Sequence, residues 1–295
     1  MYKYYIDSVG KKYRFISLAK DIDNKQHVVL QELFGKGEYV ILPLCFQGNE
    51  PFVGTTNNVL SPVEDENEAL KNIPIILDPK YRFPDIDYNK ETPQMSGSDS
   101  GVNGVKTLLK EKLKIVKEGF FNGLDTPEDI EKRILNLVRD YVPYNESVLQ
   151  DVFHLIQVWG GMSGRHIYVR GEKFDWRKIK DQYKLLVDAC LNTKDTNNTS
   201  IDSLASTARN VSDKVDFLGI SFVTKHTYFW LHKCLPNDAL PIYDSIMALE
   251  IMRKTEVKGR DLADYWKVMV AKAQNLDISL KALERQIYLY SRNNK

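Results

Sequence analysis

The chain has 295 residues, 43% of them hydrophobic, and a formal net charge of +1. That length holds one large domain or two ordinary ones with a real core, and the near-neutral balance does not by itself announce a nucleic-acid binder. Cys45, Cys190 and Cys234 share no close spacing, which argues against a disulfide framework or a cysteine zinc site and for a reducing compartment.

The opening MYKYYIDSVGKKYRF is too polar for a signal peptide, and no apolar run approaches the roughly 18 residues of a membrane span. A soluble, cytoplasmic protein with no membrane partner is expected. The charge is unevenly spread. Residues 1–104 hold 11 Lys/Arg against 15 Asp/Glu, the remainder 30 against 25. The positive excess on the larger part is compatible with a phosphate-contacting face.

In chain order, the runs KYRFISLA, QHVVLQELF and EYVILPLCF are short and rich in β-branched and aromatic residues, with DIDNKQ and GKG as turn signals between them. They predict a small antiparallel sheet or barrel within a β-rich domain over 1–88. Residues 2–47 also resemble a small bacterial domain family of unknown function, through YKYY, HVVLQELFG and YVILPLCF. NKETPQMSGSDSGVNG, residues 89–104, is poor in large apolar residues and reads as a linker. The acidic run Glu64-Asp65-Glu66-Glu68 reads as a solvated loop.

From residue 105 the apolar period becomes helical. VKTLLKEKLKIVKEGFF places Leu108, Leu109, Leu113, Ile115 and Val116 near one face. TPEDIEKRILNLVRDYV opens with an N-cap threonine, proline at the first helical position and acids in the first turn. NESVLQDVFHLIQVW, FDWRKIKDQYKLLVDACL, IDSLASTARNVSDKV, LADYWKVMVAKAQ and LKALERQIYLYSR continue an α-helical domain over 105–295. The fold class is therefore α+β, a small β domain followed by an all-α domain.

Two stretches carry chemistry. VWGGMSGRHIYVRG, residues 158–171, has three glycines within five positions, which permit unusual dihedrals and a close backbone approach. Arg165, Arg170 or His166 is placed there to contact phosphate or an orphaned base; the bland alternative is a helix-to-helix turn. No Gly-Lys-Ser/Thr follows, so this is not a Walker A loop.

In GISFVTKHTYFWLHKCLPNDALPIYDSIM, residues 219–247, Lys225 reads as the start of an apolar helix. Apolar neighbours and the field of a helix start both disfavour an ammonium there, which makes a better amine nucleophile. Asp244 follows 19 positions later in LPIYD and reads as an N-cap held rigidly. Taken alone, the lysine reads as a snorkelling surface residue. His226 and His232 stand six apart, on different helix faces, and do not form a metal pair.

The lysine, the apolar helix and the Pro-hydrophobic-Asp ending resemble the helix-hairpin-helix DNA glycosylases of the oxoguanine type. The resemblance implies a Schiff-base nucleophile at Lys225 and a carboxylate partner at Asp244. It implies DNA contacts at Ser221, Val223, Thr224, Arg165 and His166, and a base pocket with Trp159, Phe222 and Tyr228. It implies no cofactor and no metal. The partner implied is double-stranded DNA carrying a damaged or modified base, an oxidised purine such as 8-oxoguanine, met by a monomer. The sequence departs from the family in the hairpin, where Ser221 and Val223 replace glycines. Three alternatives stand beside this reading: a defence enzyme excising a modified base from phage DNA, a non-catalytic DNA-binding module, and a structural helical protein.

Overall fold

The computed structural model describes residues 4–6, 12–20, 25–32, 39–47, 50–55, 58–63, 80–88, 99–143, 145–170 and 174–293. The chain forms two compact units, Met1–Ile76 and Leu77–Lys295.

The first unit is a closed antiparallel barrel. Its strands are β1 Tyr4–Ile6, β2 Lys12–Lys20, β3 Gln26–Glu32, β4 Tyr39–Gln47, β5 Glu50–Thr55 and β6 Asn58–Val63. Each pairs with its sequence neighbour, and β1 closes on β6 through Tyr4↔Val63 and Ile6↔Ser61. Closure leaves no open edge. Tyr5, Tyr13, Val28, Leu30 and Val53 fill the interior, with Val40, Leu42 and Leu44 packed against them. The three predicted strands are β2 to β4. The short β1, β5 and β6 complete the ring; proline and glycine in β5 and proline in β6 hide them from a propensity reading. The acidic loop at 64–68 lies outside the described residues.

The second unit is helical. Its helices are α1 Asp99–Thr107, α2 Pro127–Asp140, α3 Glu146–Trp159, α4 His166–Val169, α5 Trp176–Asn192, α6 Asn198–Lys214, α7 Ile220–Leu231, α8 Ser245–Met252, α9 Leu262–Leu276 and α10 Leu280–Asn293. Short side chains set most of the starts. Thr126 and Asp129 form a capping box on α2, and Asn145, Asp175, Asn197 and Asp244 accept from first-turn N–H groups of α3, α5, α6 and α8. No helix among the described residues is long and apolar enough to cross a membrane.

The organisation differs from the sequence expectation at three places. Residues 80–88, expected with the β domain, pack on the helical unit. Arg82 N donates to Ile251 O at 3.0 Å, and Phe83 and Tyr88 lie under the Lys272 amine. α1 begins inside the expected linker 89–104, where Gly101 and Gly104 let it approach Met162 closely. The helix expected past residue 112 ends in a π turn over Leu108–Lys112, and Lys114 takes a left-handed φ of 53°.

α7 lies at the centre of this unit. Val223, Thr224, His226, Thr227, Phe229, Trp230 and Leu231 are fully buried. A helix apolar nearly all round is a core helix. A buried polar chain fixes its position. Gln157 Nε2 lies 3.0 Å from His226 Nε2, His226 Nδ1 lies 2.9 Å from Tyr183 OH, and Trp230 Nε1 donates to Tyr183 OH at 2.8 Å. Phe153 stacks on the His226 ring. Burial holds that imidazole down at about 3, hence neutral. α3, α5 and α7 are thereby locked in one register, immediately beside Lys225.

Candidate active site

α7 starts at Ile220, so Lys225 is its sixth residue, in the second turn rather than at the helix start. The cause is local. Gly219 O accepts from Phe222 N at 2.8 Å and Val223 N at 3.1 Å, which closes the first turn at once. The turn before it is residues 215–219, with Phe217 in the left-handed region at φ 62°. The connection between α6 and α7 therefore precedes the positions where the family pattern puts its hairpin.

This relocates the expected contacts. Val223 and Thr224 are fully buried and unavailable to DNA. Ser221 faces the amine: Lys225 Nζ donates to Ser221 Oγ at 3.1 Å and to Ser221 O at 3.4 Å, and sits 4.8 Å from the Phe222 ring centroid. Lys225 keeps some exposed surface. Burial of its amine pulls the pKa below the usual lysine range, while Asp244 and Glu284 push the other way. Desolvation, not the helix-terminal field, is the lowering cause.

The segment carrying Asp244 is held atom by atom. Pro241 O accepts from Trp266 Nε1 at 2.8 Å and Ile242 O from Tyr265 OH at 3.0 Å. Ile242 N donates to Glu284 Oε1 at 2.7 Å. Tyr243 N donates to Thr224 Oγ1 at 3.1 Å, and that hydroxyl donates in turn to Ser221 O. The bond joins the residue before Asp244 to the residue before Lys225, so the two chemistry-bearing residues stand within electrostatic range of each other without forming an ion pair. Asp244 Oδ1 accepts from Ile246 N at 3.0 Å and Met247 N at 3.1 Å. Asp244 is thus an N-cap and a fixed carboxylate at once, and it remains partly exposed.

A cleft lined by Glu131, Trp159, Tyr228, Ile242, Lys281, Glu284 and Arg285 lies on the same elements, with neither Lys225 nor Asp244 on its wall. Trp159 and Tyr228, singled out from the sequence, both line it. Phe222 does not line it; it lies beneath the amine and against Gly160, where any Cβ would meet its ring at 2.4 Å. The cavity volume is about 20 Å³, room for a water. In this form the cleft is too small for a nucleobase.

The glycine-rich stretch forms a 3₁₀ turn over Gly161–Arg165 directly after Trp159. Gly161 has φ 68°, and a Cβ on Gly164 would stand 1.9 Å from Gln157 O. The close backbone approach is therefore real, and it supports the buried Gln157–His226 bond. Arg165 and Arg170 are exposed, and His166 is half-buried with its pKa lowered by burial and by the two arginines.

Sequence reasoning missed Glu284. It is 5% exposed, and burial pushes its carboxyl up to about 8, with Asp244 raising it further while the Ile242 N–H, Lys225 and Arg285 pull it down.

No family model matches the chain, and neither does any curated protein or solved structure.

Proposed function

We propose that the helical unit is a DNA glycosylase with lyase activity, acting on a base everted from duplex DNA. The observation that carries the reading is the Tyr243–Thr224 hydrogen bond, which ties the segment of a rigid carboxylate to the helix of a desolvated amine, within electrostatic range of it. A base inside a duplex is out of reach of protein side chains, so it is extruded at a cost of a few kcal/mol into a pocket with aromatic walls. Trp159 and Tyr228 supply such walls. Arg165, Arg170, Lys281 and Arg285 supply positive charge on the flanking segments, and no side chain caps the start of α7.

The chemistry follows from the pair. As the bond from C1′ to the base lengthens, the sugar gains oxocarbenium character, which the Asp244 carboxylate stabilises from its fixed position. Neutral Lys225 attacks C1′, the base leaves with the bonding electrons, and the amine gives up a proton to solvent or to the base. Ring opening yields the Schiff base, and loss of the C2′ proton eliminates the 3′ phosphate. Neutral nucleophilic lysines work where burial has removed the competing ammonium. An oxidised purine such as 8-oxoguanine is the substrate proposed first, and a modified phage base second.

Duplexes each carrying one lesion or one phage modification test this by base release. Release from one of them is expected, with Asp244→Asn slowing it while thermal stability holds, because asparagine also caps a helix. Duplex binding without release from any member would reassign the protein as a DNA-binding module.

A further inference from the structure

We infer that Ser221 is a positioning residue that fixes and aims the Lys225 amine, rather than a contact to DNA phosphate. The inference rests on Lys225 as the reactive amine of the proposed function, whereas the restraint itself needs no DNA.

The geometry is a hydrogen-bonded clamp. Ser221 stands in the first turn of α7 and Lys225 one turn later. Side chains of a helix lean toward its N-terminus, so a lysine four residues on reaches back over the serine. Lys225 Nζ donates to Ser221 Oγ at 3.1 Å and to Ser221 O at 3.4 Å. The Phe222 ring lies under the same amine, with its centroid 4.8 Å away. That ring fills the space a side chain on Gly160 would need, a Cβ there standing 2.4 Å from it. The clamp therefore has a packed floor. Ser221 and Lys225 both keep some exposed surface, so the amine stays reachable.

Ser221 also connects the amine to the segment of the carboxylate. Ser221 O accepts from Thr224 Oγ1 at 3.0 Å, and that hydroxyl accepts from Tyr243 N at 3.1 Å, one residue before Asp244. An unbroken run of hydrogen bonds leads from Tyr243 through Thr224 and Ser221 to the amine.

The chemical consequence is direction. A neutral amine has two N–H donors and one lone pair. The two oxygens of Ser221 take the two N–H groups, which leaves the lone pair aimed away from the serine. A glycine at 221, as in the family pattern, would offer the carbonyl alone. Attack on a sugar carbon depends steeply on such alignment.

The test compares wild type with Ser221→Ala, which removes Oγ, and Ser221→Thr, which keeps it. NMR relaxation of the Lys225 Cε methylene is read on the protein alone. The methylene is expected to be rigid in wild type and Ser221→Thr and looser in Ser221→Ala. Borohydride trapping on a duplex with an abasic site is read beside duplex affinity. Trapping at saturating DNA is expected to slow about tenfold in Ser221→Ala, the factor one lost net hydrogen bond gives, at unchanged affinity. Ser221→Thr is expected to recover the wild-type rate. Unchanged Cε order in Ser221→Ala overturns the inference. So does a loss of affinity with trapping at the wild-type rate, which would assign Ser221 to phosphate. If wild type forms no adduct, the glycosylase reading fails, and the relaxation measurement alone decides on the clamp.

Discussion

Glu284→Gln carries a stability signature whose sign and size follow from burial. The carboxyl titrates at 4.5 when unperturbed and at about 8 in the folded chain. Between those values the unfolded state has lost its proton and the folded state has kept it. Folding stability therefore falls as pH rises through that window. The contribution is fully present below 4.5 and fully lost above 8. At 1.36 kcal/mol per pH unit the gap amounts to on the order of 5 kcal/mol. Glutamine is neutral throughout and escapes this loss. Urea unfolding of both proteins at pH 5, 6, 7, 8 and 9 isolates the effect, because every other titrating group is common to the two. The variant's stability relative to wild type is expected to climb steadily from pH 5 to pH 8 and then level off. A difference that is flat with pH would refute the reasoning, since it would mean that the carboxyl is solvated or is ionised in the folded state.

Thr224→Val removes the acceptor of Tyr243 N while keeping the volume. A buried N–H is left unpaired at a cost of about 1–3 kcal/mol, visible as a lowered melting temperature. Base release is expected to fall more than DNA affinity, because Asp244 loses its register against Lys225. Gly164→Ala puts a methyl 1.9 Å from Gln157 O, a backbone atom at the end of a packed helix. The chain must shift there, so a large drop in stability is expected by thermal melting, together with lost protection of the α7 amides in hydrogen exchange.

The helices with strong local signals were legible. Thr126, Pro127 and Asp129 announce α2 because each acts within four residues of chain. The β2 to β4 strands were legible for the same reason. The start of α7 was not. Gly219 precedes the helix in an extended conformation, whereas a glycine between helices also suits a C-terminal turn; here the left-handed residue is Phe217. That placed Lys225 one turn too close to the helix end and credited its altered acidity to the wrong cause.

The spacing of Lys225 and Asp244 was readable, but what brings them together was not. Thr224 looks like an ordinary helical threonine until Tyr243 is seen to need its oxygen. Glu284 sits in LKALERQIYLY, where it reads as half of a solvated Glu-Arg face. Its burial is imposed by Ile242, 42 positions earlier in the chain. Partners made by tertiary contact leave no local pattern, and Tyr243 for Thr224 and Ile242 for Glu284 are of that kind.

The most direct measurement of the central claim is borohydride reduction of the protein with a duplex carrying an abasic site, followed by peptide mapping. The account predicts a stable protein–DNA adduct whose sugar remnant maps to Lys225 and which disappears in Lys225→Gln. Absence of any adduct, or an adduct of equal yield in Lys225→Gln, would contradict it.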